Sequence, residues 1–199
     1  MKTSIKTFLS VALLAAVAGT GCGPSWIVVK QANPNTLTGK SFSIDAVNWD
    51  GVSIGGNTSE ADWIAKRKPE EQEKFKADWT TDKTEAGQMF ATRLTERLGK
   101  RGITVAAAPG GEAFAVKAKI DMYEPGFWSP MGFGNANTTL VVSVDFADAA
   151  GAAQDTVKFT ANITPGTFNP ATGQRIRQAA ENLADQVDAY LATRAVAAK

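Results

Sequence analysis

Between residues 112 and 163 apolar residues alternate with small or polar ones in three successive stretches, and a period of two restricts this region to extended strands. In 112–123, Phe114, Val116, Ala118, Ile120 and Met122 share one side. Leu140, Val142, Val144 and Phe146 do the same in 138–148, and Val157, Phe159, Ala161 and Ile163 in 155–163. Ala149-Ala150-Gly151 links the last two as a short turn. One apolar and one polar side predict a mainly antiparallel sheet with a single buried face. Lys117, Lys119 and Lys158 then belong on the wet face.

Such a face needs a cover, and two segments have the helical spacing to supply it. Ala86, Met89 or Phe90, Leu94 and Leu98 form a stripe on a helix over about 82–99, with Gly102 as its stop. Pro69 is expected to start a helix, because its missing donor is not needed in a first turn. Near the C-terminus, Ile176, Ala180, Leu183, Val187 and Leu191 line a helix over about 172–197. Two earlier strands are expected at 25–31 and 40–47, followed by a short one at 103–107. The fold class is therefore α+β, a mainly antiparallel sheet with helices packed on one face. The expected buried set is Phe42, Ile44, Met89, Leu94, Phe114, Val116, Ile120, Val142, Val144, Phe159, Leu183 and Val187.

The first residues read differently. Lys2 and Lys6 precede an apolar stretch at 8–18, which is too short to span a bilayer, since a spanning helix needs about 20 residues. Gly19, Thr20 and Gly21 lead into Cys22, the only cysteine of the chain. This segment resembles a bacterial lipobox, with Gly19 where lipoboxes usually carry Leu. The resemblance implies a signal at 1–21, a diacylglycerol on the Cys22 thiol and further acylation with a chain such as palmitate; the length of 22–199 suits one α+β domain. Gly23, with no Asp at that position, is compatible with an outer-membrane destination. Cleavage after Ala16-Val17-Ala18 is the alternative, and it would leave Cys22 as a free thiol.

Several kinds of chemistry are excluded. The chain contains no histidine, so Ser-His-Asp triads, Cys-His pairs and imidazole metal ligands are absent. Asp121 with Glu124 is the nearest carboxylate pair, but residues three apart on a strand point to opposite faces. Asp45, Asp145 and Asp155 are expected to be solvated, with no calcium-like spacing. The glycine-rich segments match neither a P-loop nor a dinucleotide fingerprint. Without Lys2 and Lys6, 19 of the 21 basic residues remain against 20 acidic ones, a net charge of −1 that gives no case for nucleic acid. Arg93, Arg97 and Arg101, with Lys100 beside them, share a helical face; they could meet a phosphate or anionic lipid head group, or serve the carbonyl end of their helix.

One loop departs from the usual polar composition. Residues 125–134 place Phe127, Trp128, Met131 and Phe133 among glycines and prolines. They form either a lid on the core or a contact surface. The order of two strands, a helix, a meander and a last helix resembles a broad group of small bacterial envelope lipoproteins. It rests on Cys22, the helix end at 94–102, the strand at 114–123 and the turn at 149–151. That resemblance implies a lipid-anchored, non-enzymatic accessory or binding module without a cofactor, held to a membrane through acylated Cys22 and contacting an envelope protein. The alternative is a carrier of a lipid or other apolar ligand.

Overall fold

The computed structural model describes residues 26–38, 40–107, 113–130 and 134–194. Its elements run β1 (Trp26–Lys30), β2 (Phe42–Ile44), β3 (Ser53–Ile54), β4 (Thr58–Ser59), α1 (Glu60–Ala65), α2 (Pro69–Lys100), β5 (Val105–Ala106), β6 (Phe114–Glu124), β7 (Thr138–Ala147), β8 (Ala153–Ile163) and α3 (Thr172–Arg194). The fold is α+β, as the alternation and the two stripes predict. β6, β7 and β8 form the expected antiparallel meander, with Val116 opposite Phe146 and Val142 opposite Phe159.

The sheet is mainly but not purely antiparallel. Its order is β1-β8-β7-β6-β2-β5, and β2 pairs in parallel with both β5 and β6. The cause is the long helix between them: strands separated by a crossover helix emerge side by side pointing the same way. That helix is also longer than its apolar stripe. α2 has 32 residues and starts at Pro69, with Glu70 and Glu71 in the first turn and Arg97 and Lys100 in the last, each favourable to the helix dipole. Gly102, at φ 72°, turns the chain out of it.

The inner face of the meander packs under α2 and α3 in one apolar cluster that includes Phe42, Phe90, Leu94, Val142, Val144, Phe159, Leu183 and Val187. Lys117, Lys119 and Lys158 lie on the other face. Two members of the expected core differ. Met89 is 37% exposed, because the fully buried Phe90 takes the centre of the stripe and Met89 falls to one side. Ile44 is half-buried at the last position of β2.

A third difference is local and reshapes one end of the core. The β6–β7 register slips between Ile120 and Met122, so that Met122 pairs with Val141 and Tyr123 with Leu140. This bulge turns Met122 off the core face and brings Tyr123 fully inside.

Asp155, expected to be solvated, is fully buried. It accepts hydrogen bonds from Tyr190 Oη at 2.6 Å, Arg194 Nε at 2.9 Å and the backbone N of Ala32 at 2.8 Å. Asp155 lies in phase with Val157, Phe159 and Ala161 on the inner face, and the last turn of α3 supplies the partners. Burial pushes the carboxyl up, but the bonds from Arg194, Tyr190 and Ala32 outweigh it and hold Asp155 below the usual range. In turn Tyr190, buried and bonded to that carboxylate, is pushed up to about 12.

A folded-state value below the unfolded one means stability that is complete above about pH 4 and lost as pH falls through the folded value. Asp155→Asn is expected to lower stability by about 3 kcal/mol, because Arg194 loses its counter-charge in a half-buried setting. Its Tm should fall by roughly 6–12 °C at pH 7. The acid-induced loss below pH 4 should also shrink, and both are read by calorimetry across pH.

Candidate functional site

Strand polarity gathers the candidate residues at one end of the sheet. β6 ends at Glu124, β7 starts at Thr138 and β8 ends at Ile163, so the 125–137 and 164–171 loops leave from the same end. β1 runs antiparallel to β8 with Trp26 opposite Phe159 and Lys30 near Thr156. The chain therefore enters β1 from that end too. The 148–152 turn and the C-terminal end of α2 lie at the other end.

At the base of the 125–137 loop, Phe127 and Ala136 extend the β6–β7 ladder. Phe127 and Ala136 exchange two backbone hydrogen bonds, each 3.0 Å, and Asn135 Oδ1 accepts from Ser129 N at 2.9 Å. Gly126, at φ 61°, permits this approach: a Cβ there would overlap Ala136 O and the Asn137 carbonyl. Phe127 is 53% exposed, and Trp128 is half-buried. Met131, Phe133 and Cys22 lie outside the described residues.

Sequence reasoning missed Phe168, which is 97% exposed on the neighbouring loop. The signal was available: Thr164-Pro165-Gly166-Thr167-Phe168-Asn169-Pro170 is a second apolar residue among turn formers.

Both loops are tied to α3 by Arg175, which is buried and has no carboxylate partner among the described residues. It donates to Thr138 Oγ1 at 2.8 Å, Pro125 O at 3.2 Å, Asn169 O at 3.3 Å and the Pro170 carbonyl. Burial pulls its pKa below the ordinary guanidinium value. The guanidinium fork spends its donors on carbonyls and a hydroxyl that loops would otherwise leave unsatisfied in the interior.

Behind this end lies a cavity of about 340 Å³ lined by Trp63, Phe75, Trp79 and Tyr123 with Arg67, Asp78 and Asp82. Trp79 stacks on Tyr123 at 5.1 Å, and Trp63 meets Phe75 and Trp79 edge-on at 4.7 and 5.3 Å. Arg67 sits 4.2 Å over the Phe75 ring. Tyr123 Oη and Trp79 Nε1 are buried and find no hydrogen-bond partner among the described residues. Burial raises the Tyr123 hydroxyl, and Asp82 nearby adds to the effect. Burial likewise raises Asp82, against the pull of Arg177 at 3.2 Å.

The other charged candidates are not brought together as sites. Asp121 accepts from Ser143 Oγ at 2.6 Å and faces Lys158 at 3.4 Å, while Glu124 Oε1 approaches Gly126 N. They do not form a carboxylate pair. Arg93 and Arg97 both bond Asp185, at 2.9 and 2.7 Å, and Arg101 bonds Asp188 at 2.6 Å. These arginines clamp α2 to α3, so neither a phosphate nor the helix end accounts for their placement. Burial works against the Asp185 charge, but Arg97 and Arg93 prevail and pull it down to about 2. Among the described residues no group of three or more acidic side chains could hold a metal ion. No described helix is long and apolar enough to cross a membrane.

No protein-family model matches the chain, and no curated protein matches it. Among solved structures the chain is similar to the PelC dodecamer from Paraburkholderia phytofirmans, at 14% sequence identity and a TM-score of 0.43. That likeness covers 85% of this chain and 98% of the other. It is also similar to a minor lipoprotein from Acinetobacter baumannii, at 15% identity and a TM-score of 0.40, over 78% of this chain and 94% of the other.

Replacing Arg175 by Met should leave the Pro125, Asn169 and Pro170 carbonyls short of donors at a cost of about 3 kcal/mol. We expect a Tm lower by roughly 6–12 °C, and faster amide exchange at Phe127 and Ala136 than in the rest of the sheet. Equal protection at those two amides would contradict the tying role.

Proposed function

We propose that this chain is a lipid-anchored, non-enzymatic module of the bacterial cell envelope, held at Cys22, that works by contact through its loop end. The observation that carries the reading is the placement of Phe127 and Phe168. Both are exposed, on separate loops, at the end from which the chain runs back toward Cys22. Exposed aromatics on a braced loop suit recognition better than packing. Acylation of Cys22 and residence in the outer membrane belong to this proposal, as does a contact role for Trp128, Met131 and Phe133.

The carrier reading has one observation in its favour, the aromatic cavity with its two unpartnered polar atoms. At about 340 Å³ it sits at the small end of ligand sites. The space between helices and sheet, where a carrier would hold its cargo, is filled by fully buried side chains such as Phe90, Leu94 and Val187. Contact therefore leads.

Mass spectrometry of the mature protein from cells is expected to find acylated Cys22 as its first residue, and Cys22→Ser should release the chain from membranes. A mature chain beginning at Gly19 with a free thiol would contradict the anchor. Phe127→Ala should leave the Tm within about 2 °C, as for a surface change of under about 0.5 kcal/mol. A fall of several degrees would return Phe127 to the role of a lid.

A further inference from the structure

We infer that the surface touched by the loop end is the lipid bilayer itself, with Phe127 and Phe168 seated among the head groups. The inference rests on the anchoring proposed above and names the partner of that same end.

Three observations point to lipid. The first is reach. Cys22 stands four residues ahead of Trp26 in the sequence, and four residues span at most about 14 Å. Trp26 pairs with Phe159, itself four residues before the end of β8 at Ile163. A tether of that length returns a membrane-inserted Cys22 to about the level of Ile163, and the 125–137 and 164–171 loops extend beyond that level. With the acyl chains in a bilayer, the loops have no room to stand clear of it.

The second is charge. Residues 22–25, 125–137 and 164–174 contain no Asp, Glu, Lys or Arg, in a chain with 21 basic and 20 acidic residues. The 125–137 and 164–171 loops leave from this end, and residues 22–25 precede β1, which is entered from it. The charges at this end, such as Arg67, Asp78 and Asp82, belong to the cavity and to the start of α2, so the loops themselves offer a partner protein no charge to read, whereas zwitterionic head groups require none. The third is the aromatic side chains. Phe168 at 97% exposure and Phe127 at 53% stand on separate loops, and side chains such as Phe suit the boundary between head groups and acyl chains.

The contact is shallow. Trp79 stacks on Tyr123 near the end of β6, so the first turns of α2 run past the sheet on this side. They carry Glu70, Glu71 and the Lys74–Asp78 ion pair, which belong in water or among head groups. Only the loop tips enter. Because the tips are uncharged, the contact should be the same on phosphatidylcholine as on anionic vesicles and insensitive to salt.

Site-directed spin labelling of the full acylated protein tests this. Cys22 is the only cysteine, and acylation turns its sulfur into a thioether, so Phe127→Cys, Phe168→Cys or Ala150→Cys each supplies a single reactive thiol. On phosphatidylcholine vesicles, labels at 127 and 168 are expected to show oxygen accessibility raised several-fold over that to a water-soluble nickel chelate. The label at 150, at the far end, should show the reverse. Aqueous behaviour at 127 and 168 in an acylated, vesicle-bound protein would overturn the contact and leave the anchor standing. Protection at 168 that persists in detergent micelles under dilution, with pairwise spin broadening, would assign the surface to a second copy and overturn it too. Nitroxide taken up by the unsubstituted chain would reveal a free Cys22 thiol and remove the anchor and the inference together.

Discussion

Burial of the inner face of β6, β7 and β8 under two helices decides where the rest of the chain can go. Phe114, Val116, Leu140, Val142, Val144, Phe146, Val157 and Phe159 are each nearly or wholly removed from water on that face. Each large apolar side chain contributes about 1.5–3 kcal/mol on burial, so no alternative register competes with this one. α3 lies on the face with its end held by the Asp155–Arg194 pair, and α2 is clamped to α3 by Arg93, Arg97 and Arg101. With Cys22 as the only cysteine, no intrachain disulfide can form, and packing and these ion pairs carry the stability.

Once that face is covered, the two ends of the sheet become chemically unlike. One end holds the tight 148–152 turn, where Asp148 Oδ1 accepts from the backbone N atoms of Ala150 and Ala152. The other holds two longer loops without charged residues, bound to each other and to α3 through Arg175. A loop base braced by a buried guanidinium can expose large apolar side chains without loosening the core, because its own polar groups are satisfied below the surface. This separates rigidity, which resides in the strands and Arg175, from exposure, which falls to Phe127 and Phe168.

Much of this was legible in the chain itself. The period of two set the meander and its wet lysines, and the helical stripes located the cover. What escaped depends on partners distant in sequence. The parallel pairing of β2 with β6 followed from the helix between them, and a crossover reading of that helix would have predicted it. The bulge at Asp121 reversed Met122 and Tyr123 within an otherwise regular alternation, and nothing local announced it. Asp155 and Arg175 look like ordinary charged residues; only the folded chain brings Tyr190 and Arg194 to one, and three loop carbonyls to the other. At the candidate site, the Phe127 loop stood out because apolar residues among glycines and prolines are unusual, while Phe168 carried the same signal in weaker form.

Hydrogen–deuterium exchange of the acylated protein, compared between phosphatidylcholine vesicles and detergent micelles, tests the central claim most directly. The account predicts slower exchange on vesicles at 125–137 and 164–171, with the 148–152 turn and the lysine-bearing face of β6–β8 unchanged. Protection at that face or at the 148–152 turn, with the two loops still exchanging freely, would contradict it.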